Sequence, residues 1–243
     1  MTRNTMVAMG LLGVLLGGCD NGSAEKIEAL EKRITELETK VAGNKTMQAP
    51  PGAQAADPNE QAAAEILKAV QQHSQALEYD KAKAKLAELK EKFPQSRAAR
   101  AATRFEMELD VIGKEVSALN VSTWHKGADT DVTSGTNLLV FWEVWCPHCK
   151  REVPKLSATA EKYGDKGLKV VGLTKQTRNI TDDQVTEFID QNEVAYPVGK
   201  EDGSVSAYYN VRGVPAAAVV KDGKIVWRGH PGRLTDEMLE GWL

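Results

Sequence analysis

The chain has 243 residues, with 31 Lys+Arg against 34 Asp+Glu and a net charge of −3. With 42% hydrophobic and 27% charged residues it reads as one globular core with appendages, which excludes a disordered polymer, and the charge balance excludes wholesale nucleic-acid binding. Three cysteines, Cys19, Cys146 and Cys149, are too few for a disulfide-stapled scaffold, and His73, His125, His148 and His230 are scattered without zinc-site spacing.

Arg3 is followed by an apolar run from Met6 to Leu16, broken only by glycine, about the length of a signal-peptide core and too short to span a bilayer. It ends in Leu16-Gly17-Gly18-Cys19, which resembles the lipobox of bacterial lipoproteins. That resemblance implies cleavage after residue 18 and acylation of Cys19, whose thiol is then an anchor and not a redox partner. A soluble signal peptide is the alternative. Asp20 resembles the inner-membrane retention signal of some Gram-negative lipoproteins. The expected location is the bacterial envelope, facing the periplasm, with the anchor in the inner membrane.

Residues 19–43 carry Ile27, Leu30, Ile34, Leu37 and Val41 at alternating spacings of three and four, a heptad seam that predicts a short parallel coiled coil and a homo-oligomer. A lone amphipathic helix is the other outcome, because so short a coil is marginal. Residues 44–57, with Asn44, Pro50, Pro51 and Gly52, read as a flexible linker.

Asp57-Pro58-Asn59-Glu60 predicts a helix start, with Ile66, Leu67, Val70 and Leu77 as the buried stripe. A second helix is expected from about Asp80 to Phe93, stopped by Pro94, and a third is capped by Ser96 and closed near Gly113. This region, 58–108, resembles a tetratricopeptide hairpin around Tyr79, Ala82, Phe93 and Pro94. It is either a docking module for partner peptides or a spacer packed on the next domain.

From Leu138 to Val144 an apolar strand runs into Trp145-Cys146-Pro147-His148-Cys149, and a helix follows. At the N-terminus of that helix, Cys146 meets unsatisfied N–H groups that favour thiolate, and Cys149 lies one turn further on the same side. The pair suits two-step exchange: an accessible thiolate attacks a substrate disulfide and a shielded sulfur resolves the mixed disulfide. A zinc half-site needs two more ligands, and no second pair is present. Leu168–Leu173 reads as the next buried strand, Thr181–Asn192 as a helix, Asp222-Gly223 as a hairpin turn and Leu234–Leu243 as a closing helix.

Residues 109–243 resemble the thioredoxin fold and, within it, the TlpA/ResA-like thiol–disulfide oxidoreductases. Phe141-Trp142 and Trp145 to Cys149 match the active-site strand and turn, and Glu152 and Pro154 match the Cys-x-x-Glu-x-Pro pattern. Pro154 is expected to kink its helix. Tyr209 to Pro215 resembles the segment bearing the family's cis-proline, which implies that Val214 offers its backbone to a substrate chain beside the sulfurs. Trp145, Pro147 and His148 are expected to tune the site and bind substrate, whereas Trp124 and Trp142 read as packing. The acidic residue of thioredoxin six places before the first cysteine is Val140 here, and Glu143 stands where a small residue is common. Glu143 is either a proton relay for the resolving thiol or a solvated rim residue.

The resemblance implies an α/β domain after a helical region, with no cofactor and no metal. Its partners are protein thiols or disulfides and an envelope redox protein. The direction of electron flow stays divided. His148 beside the nucleophile resembles the Pro-His of oxidising DsbA, whereas the wider resemblance favours a reductant; a dimeric isomerase and a peptide-binding scaffold are further readings.

Overall fold

The computed structural model describes residues 29–36 and 57–243. The signal peptide, Cys19, the linker, and Ile27, Leu37 and Val41 of the seam lie outside the described residues. Residues 29–36 are helical (α1), with Leu30 and Ile34 exposed. They fall in a different unit from the one that residues 57–243 form.

The second unit opens with three helices. Helix α2 (Pro58–Gln75) starts where Asp57 accepts the N–H of Asn59 at 2.9 Å, with Pro58 in the first turn. Helix α3 (Tyr79–Lys92) ends ahead of Pro94, and α4 (Arg97–Asp110) is capped by Ser96, whose hydroxyl accepts the N–H of Ala99 at 3.0 Å. Small residues on the inner faces, Ala63, Ala82, Ala98 and Ala102, let the helices approach closely around Val70, Leu89 and Phe105. Leu77 is not part of the α2 stripe. The helix has already ended, and Leu77, held at φ 58° in the turn, packs instead against the core beneath the neighbouring sheet. Tyr79 donates its hydroxyl to the Val226 carbonyl at 2.8 Å, Asn210 donates to the Met107 carbonyl at 3.2 Å, and Arg233 pairs with Glu108 at 2.7 Å.

The remainder is a six-stranded sheet. In chain order it comprises β1 (Val121–Lys126), β2 (Thr136–Phe141), α5 (Pro147–Gly164), β3 (Leu168–Thr174), α6 (Asp182–Gln191), β4 (Val198–Glu201), α7 (Ser204–Tyr208), β5 (Ala216–Lys221), β6 (Lys224–Gly229) and α8 (Asp236–Trp242). The strand order is β1-β4-β3-β2-β5-β6, with β2 parallel to β3, β3 parallel to β4, and the other pairings antiparallel. Every residue of β2 is buried, as a central strand covered on both faces requires. Alternation sends Leu138 and Val140 to one face, with α5, α6 and α8, and Leu139 and Phe141 to the other, with α7 and the 111–119 segment.

Close approach decides one glycine. A Cβ on Gly172 in β3 would lie 2.8 Å from the Trp142 indole nitrogen and 2.9 Å from a Tyr196 ring carbon. Trp142 is therefore core, 1% exposed and 5.0 Å from the Phe188 ring, while Trp124 is half-buried against the opposite face. Helix α5 continues through the exposed Pro154, and Asp222-Gly223 closes the β5–β6 hairpin with both residues at positive φ. Strands β1 and β4 and helix α7 are elements that periodicity does not reveal, being short or only half covered.

Candidate active site

Parallel strands β2 and β3 end on the same edge of the sheet, and the loops that follow their C-terminal ends build the site. Cys146 is the N-cap of α5. Its sulfur accepts the backbone N–H of Cys149 at 3.3 Å and donates to the Val214 carbonyl at 3.4 Å. Both cysteines are free thiols. Cys146 is only 3% exposed and Cys149 wholly buried, so the openly accessible nucleophile expected from the motif is instead recessed beside Trp145 and Val214. Burial pushes the Cys149 thiol well above its ordinary range; the hydrogen bond with Cys146 and the negative charge of Glu143 push the same way.

Val214 and Pro215 precede β5, joined by a cis peptide bond. The Val214 carbonyl faces the Cys146 sulfur, so in the dithiol state it already has a donor. Arg228, buried in β6, donates to the carbonyls of Tyr209 at 2.9 Å and Gly229 at 3.1 Å and so ties down the segment leading to Pro215. Desolvation draws its guanidinium down to about 10, still a cation at neutral pH.

Glu143 is 2% exposed and is not a rim residue. Its carboxylate accepts the backbone N–H of Lys175 at 3.2 Å and of Thr177 at 3.1 Å, which joins the end of the active-site strand to the loop after β3. Burial raises its pKa, and those two N–H bonds oppose the shift. Trp145 donates its indole N–H to the Thr177 hydroxyl at 2.9 Å, and the Arg178 guanidinium lies 3.5 Å over its ring. His148 is exposed, and its Nδ1 is 2.6 Å from Arg151 Nη2. The guanidinium can only donate, so Nδ1 accepts, and the sulfur's hydrogen-bond partners are Val214 and Cys149 rather than this imidazole. Pro147 is exposed at the first turn of α5.

The structure thus brings Cys146, Cys149, Trp145, Val214, Pro215 and Glu143 together. Sequence reasoning missed Lys175, Thr177 and Arg178. Gln176, Arg178 and Asn179 adopt positive φ without glycine, so neither periodicity nor glycine marks the loop. The available signal was its place after the next parallel strand, on the edge where the CxxC turn also lies. Among the described residues no group of three or more His, Cys, Asp and Glu could hold a metal ion.

A parallel–antiparallel sheet with a CxxC turn capping the helix after its central strand defines a thioredoxin-like α/β protein. Residues 99–228 match the AhpC/TSA family model, and the chain belongs to that family. Over 107 residues it is 33% identical to the thiol-disulfide oxidoreductase ResA of Bacillus cereus, covering 43% of this chain and 60% of that protein. The thioredoxin-like protein YneN of Bacillus subtilis is 26% identical over 51% of this chain and 72% of its own length. Among solved structures, the thioredoxin domain of a thiol-disulfide oxidoreductase from Bacteroides vulgatus is 22% identical with a TM-score of 0.47, covering 54% of this chain and 98% of that one.

Proposed function

We propose that the protein is a thiol–disulfide oxidoreductase that reduces disulfides of envelope proteins. The observation that carries this is the recessed dithiol: one sulfur capping α5, the second buried behind it, and the Val214 carbonyl beside the first. The Cys146 thiolate attacks one sulfur of the substrate disulfide, that S–S bond breaks, and one substrate thiolate leaves and takes up a proton. Cys149 then gives up its proton and attacks the Cys146 sulfur, the bond between Cys146 and the substrate breaks, and the second substrate thiolate leaves and takes up a proton. The protein ends as the Cys146–Cys149 disulfide and the substrate as two thiols, so two electrons and two protons have passed.

Support for the reducing direction comes from His148. A histidine that stabilises the reduced form makes an oxidant, but here its Nδ1 is taken by Arg151. A glutathione-buffered titration followed by Trp145 fluorescence tests the direction, with a potential expected nearer the ~−270 mV of thioredoxin than the ~−120 mV of DsbA. A value at the DsbA end overturns it.

The proposal extends to location and assembly. The chain is exported to the periplasmic face, held at the inner membrane by lipid on Cys19, and paired through Ile27, Leu30, Ile34, Leu37 and Val41, with residues 58–108 as its spacer. The lipobox and heptad patterns support this, and among the described residues no helix is long and apolar enough to cross a membrane. A Cys19→Ser protein is expected to leave the membrane fraction, and retention there as complete as the wild type's contradicts the anchor.

A further inference from the structure

The turn that carries the recessed sulfur is flanked by cations that have no carboxylate of their own. Arg151 and Arg178 are exposed and contact the turn directly, Arg151 through His148 and the Pro147 carbonyl at 3.4 Å, and Arg178 through the Trp145 ring. Lys150 is exposed next to Cys149, and Arg212 is exposed two residues before the Val214 carbonyl. Among the described residues none of these four forms an ion pair, in contrast to Lys81, Lys85, Lys90, Lys92, Lys114, Lys155 and Lys162, which all do. The nearby acids do not offset them. Glu143 is buried under two N–H groups, Glu152 is held by Lys155 at 2.9 Å, and Asp182 is engaged by Gln176 at 2.6 Å. A chain of net charge −3 therefore presents a positive rim at its reactive sulfur.

We propose that this rim is a specificity surface for substrate segments in which Asp or Glu flanks the reactive cysteine. The inference rests on the disulfide-exchange reading and deepens it. Stacking uses the face of the Arg178 guanidinium and leaves its N–H edges free, the geometry that grips a carboxylate with two parallel bonds. The indole beneath is fixed by Thr177, so Arg178 is held over Trp145, the residue before Cys146, with little ordering left to do on binding. A substrate cysteine reaching the recessed Cys146 brings its chain neighbours within range of Arg151 and Arg178, on either side of the turn. An extended acidic segment complements both charge and access, whereas a planar array of lipid headgroups has no reason to enter beside the sulfur.

The test uses three symmetrical disulfide-linked pentapeptides, Asp-Ala-Cys-Ala-Asp, Ser-Ala-Cys-Ala-Ser and Lys-Ala-Cys-Ala-Lys, reduced by the dithiol protein. Each rate constant is divided by that of 2-mercaptoethanol with the same peptide, which removes the peptides' own difference in reactivity. The acidic peptide is expected to react about tenfold faster than the basic one at low salt, with the ratio falling to about twofold in ~0.5 M salt, where screening acts within ~4–5 Å. The Arg151→Gln/Arg178→Gln protein is expected to lose the preference at low salt as well. Equal normalised rates for acidic and basic peptides in the wild type overturn the inference, while reduction of the neutral peptide keeps the exchange reading intact. No reaction with any peptide fails the exchange reading itself. If the peptides react alike while the wild type, and not the double variant, co-sediments with phosphatidylglycerol vesicles, the rim is a headgroup surface and the inference falls.

Discussion

The helical layer and the sheet are built in different ways. Helices α2 to α4 hold together through an alanine-lined core of their own, made by residues close in sequence, and their contacts with the rest include Leu77, one tyrosine hydroxyl, one asparagine amide and the ion pairs Arg233–Glu108 and Lys114–Asp110. The sheet owes its core to strands far apart in the chain, and the site at its edge is made largely of backbone groups: the Cys149 N–H, the Val214 carbonyl, and the N–H groups of Lys175 and Thr177. The helical layer is thus held on by a few replaceable side chains. The chemistry sits where the polypeptide itself supplies the contacts, and only a few side chains, above all the sulfurs, must be of one kind.

The strongest way to break this contrast is at the sulfur. Cys146→Ala is expected to reduce disulfide exchange to the buffer background without unfolding the chain, as read by peptide reduction alongside circular dichroism. Residual exchange at a tenth of the wild-type rate assigns attack to Cys149 instead. Next in size, Gly172→Ala forces a methyl against Trp142 and Tyr196 and is expected to destabilise the unit by about 1–3 kcal/mol in urea unfolding. At the seam, Tyr79→Phe removes the hydroxyl donated to Val226 and is expected to cost about 1 kcal/mol, seen as faster amide exchange in α3 with the peptide-reduction rate unchanged. An altered rate shows that the helical layer reaches the site.

The smallest effect concerns Glu143 and sharpens the account of the buried thiol. Its negative charge opposes a second negative charge on Cys149, so removing it favours the thiolate and lowers the thiol pKa. In a Cys146→Ala background, Glu143→Gln is therefore expected to move the pH midpoint of Cys149 alkylation downward. A midpoint that rises instead means that the Glu143 charge does not govern Cys149.

What the sequence made legible follows the same division. Asp57 and Ser96 predict caps because capping is a local hydrogen bond, and each accepts the expected N–H. The CxxC turn after Leu138–Phe141 is equally local, as is the Asp222-Gly223 hairpin. Leu77 was misplaced because a helical period says nothing about where a turn residue points once the helix has ended. The expected roles of Glu143 and His148 depended on long-range partners: whether Glu143 is buried is decided by a loop 32 residues away, and the His148 ring is claimed by Arg151. Arg178 owes its place over Trp145 to a loop whose left-handed residues carry no glycine mark.

The contact between the Cys146 sulfur and the Val214 carbonyl spans 68 residues of chain. It depends on β5 aligning with β2, Phe141 opposite Ala216 and Thr136 opposite Lys221. On the time axis of synthesis, helices α2 to α4 can fold from local contacts as they emerge, and the two cysteines follow soon after. Their enclosing carbonyl arrives much later, when the closing of that long loop finally repays its entropy. A nascent chain therefore carries its dithiol for an interval with neither the partner of its first sulfur nor the sheet that hides its second.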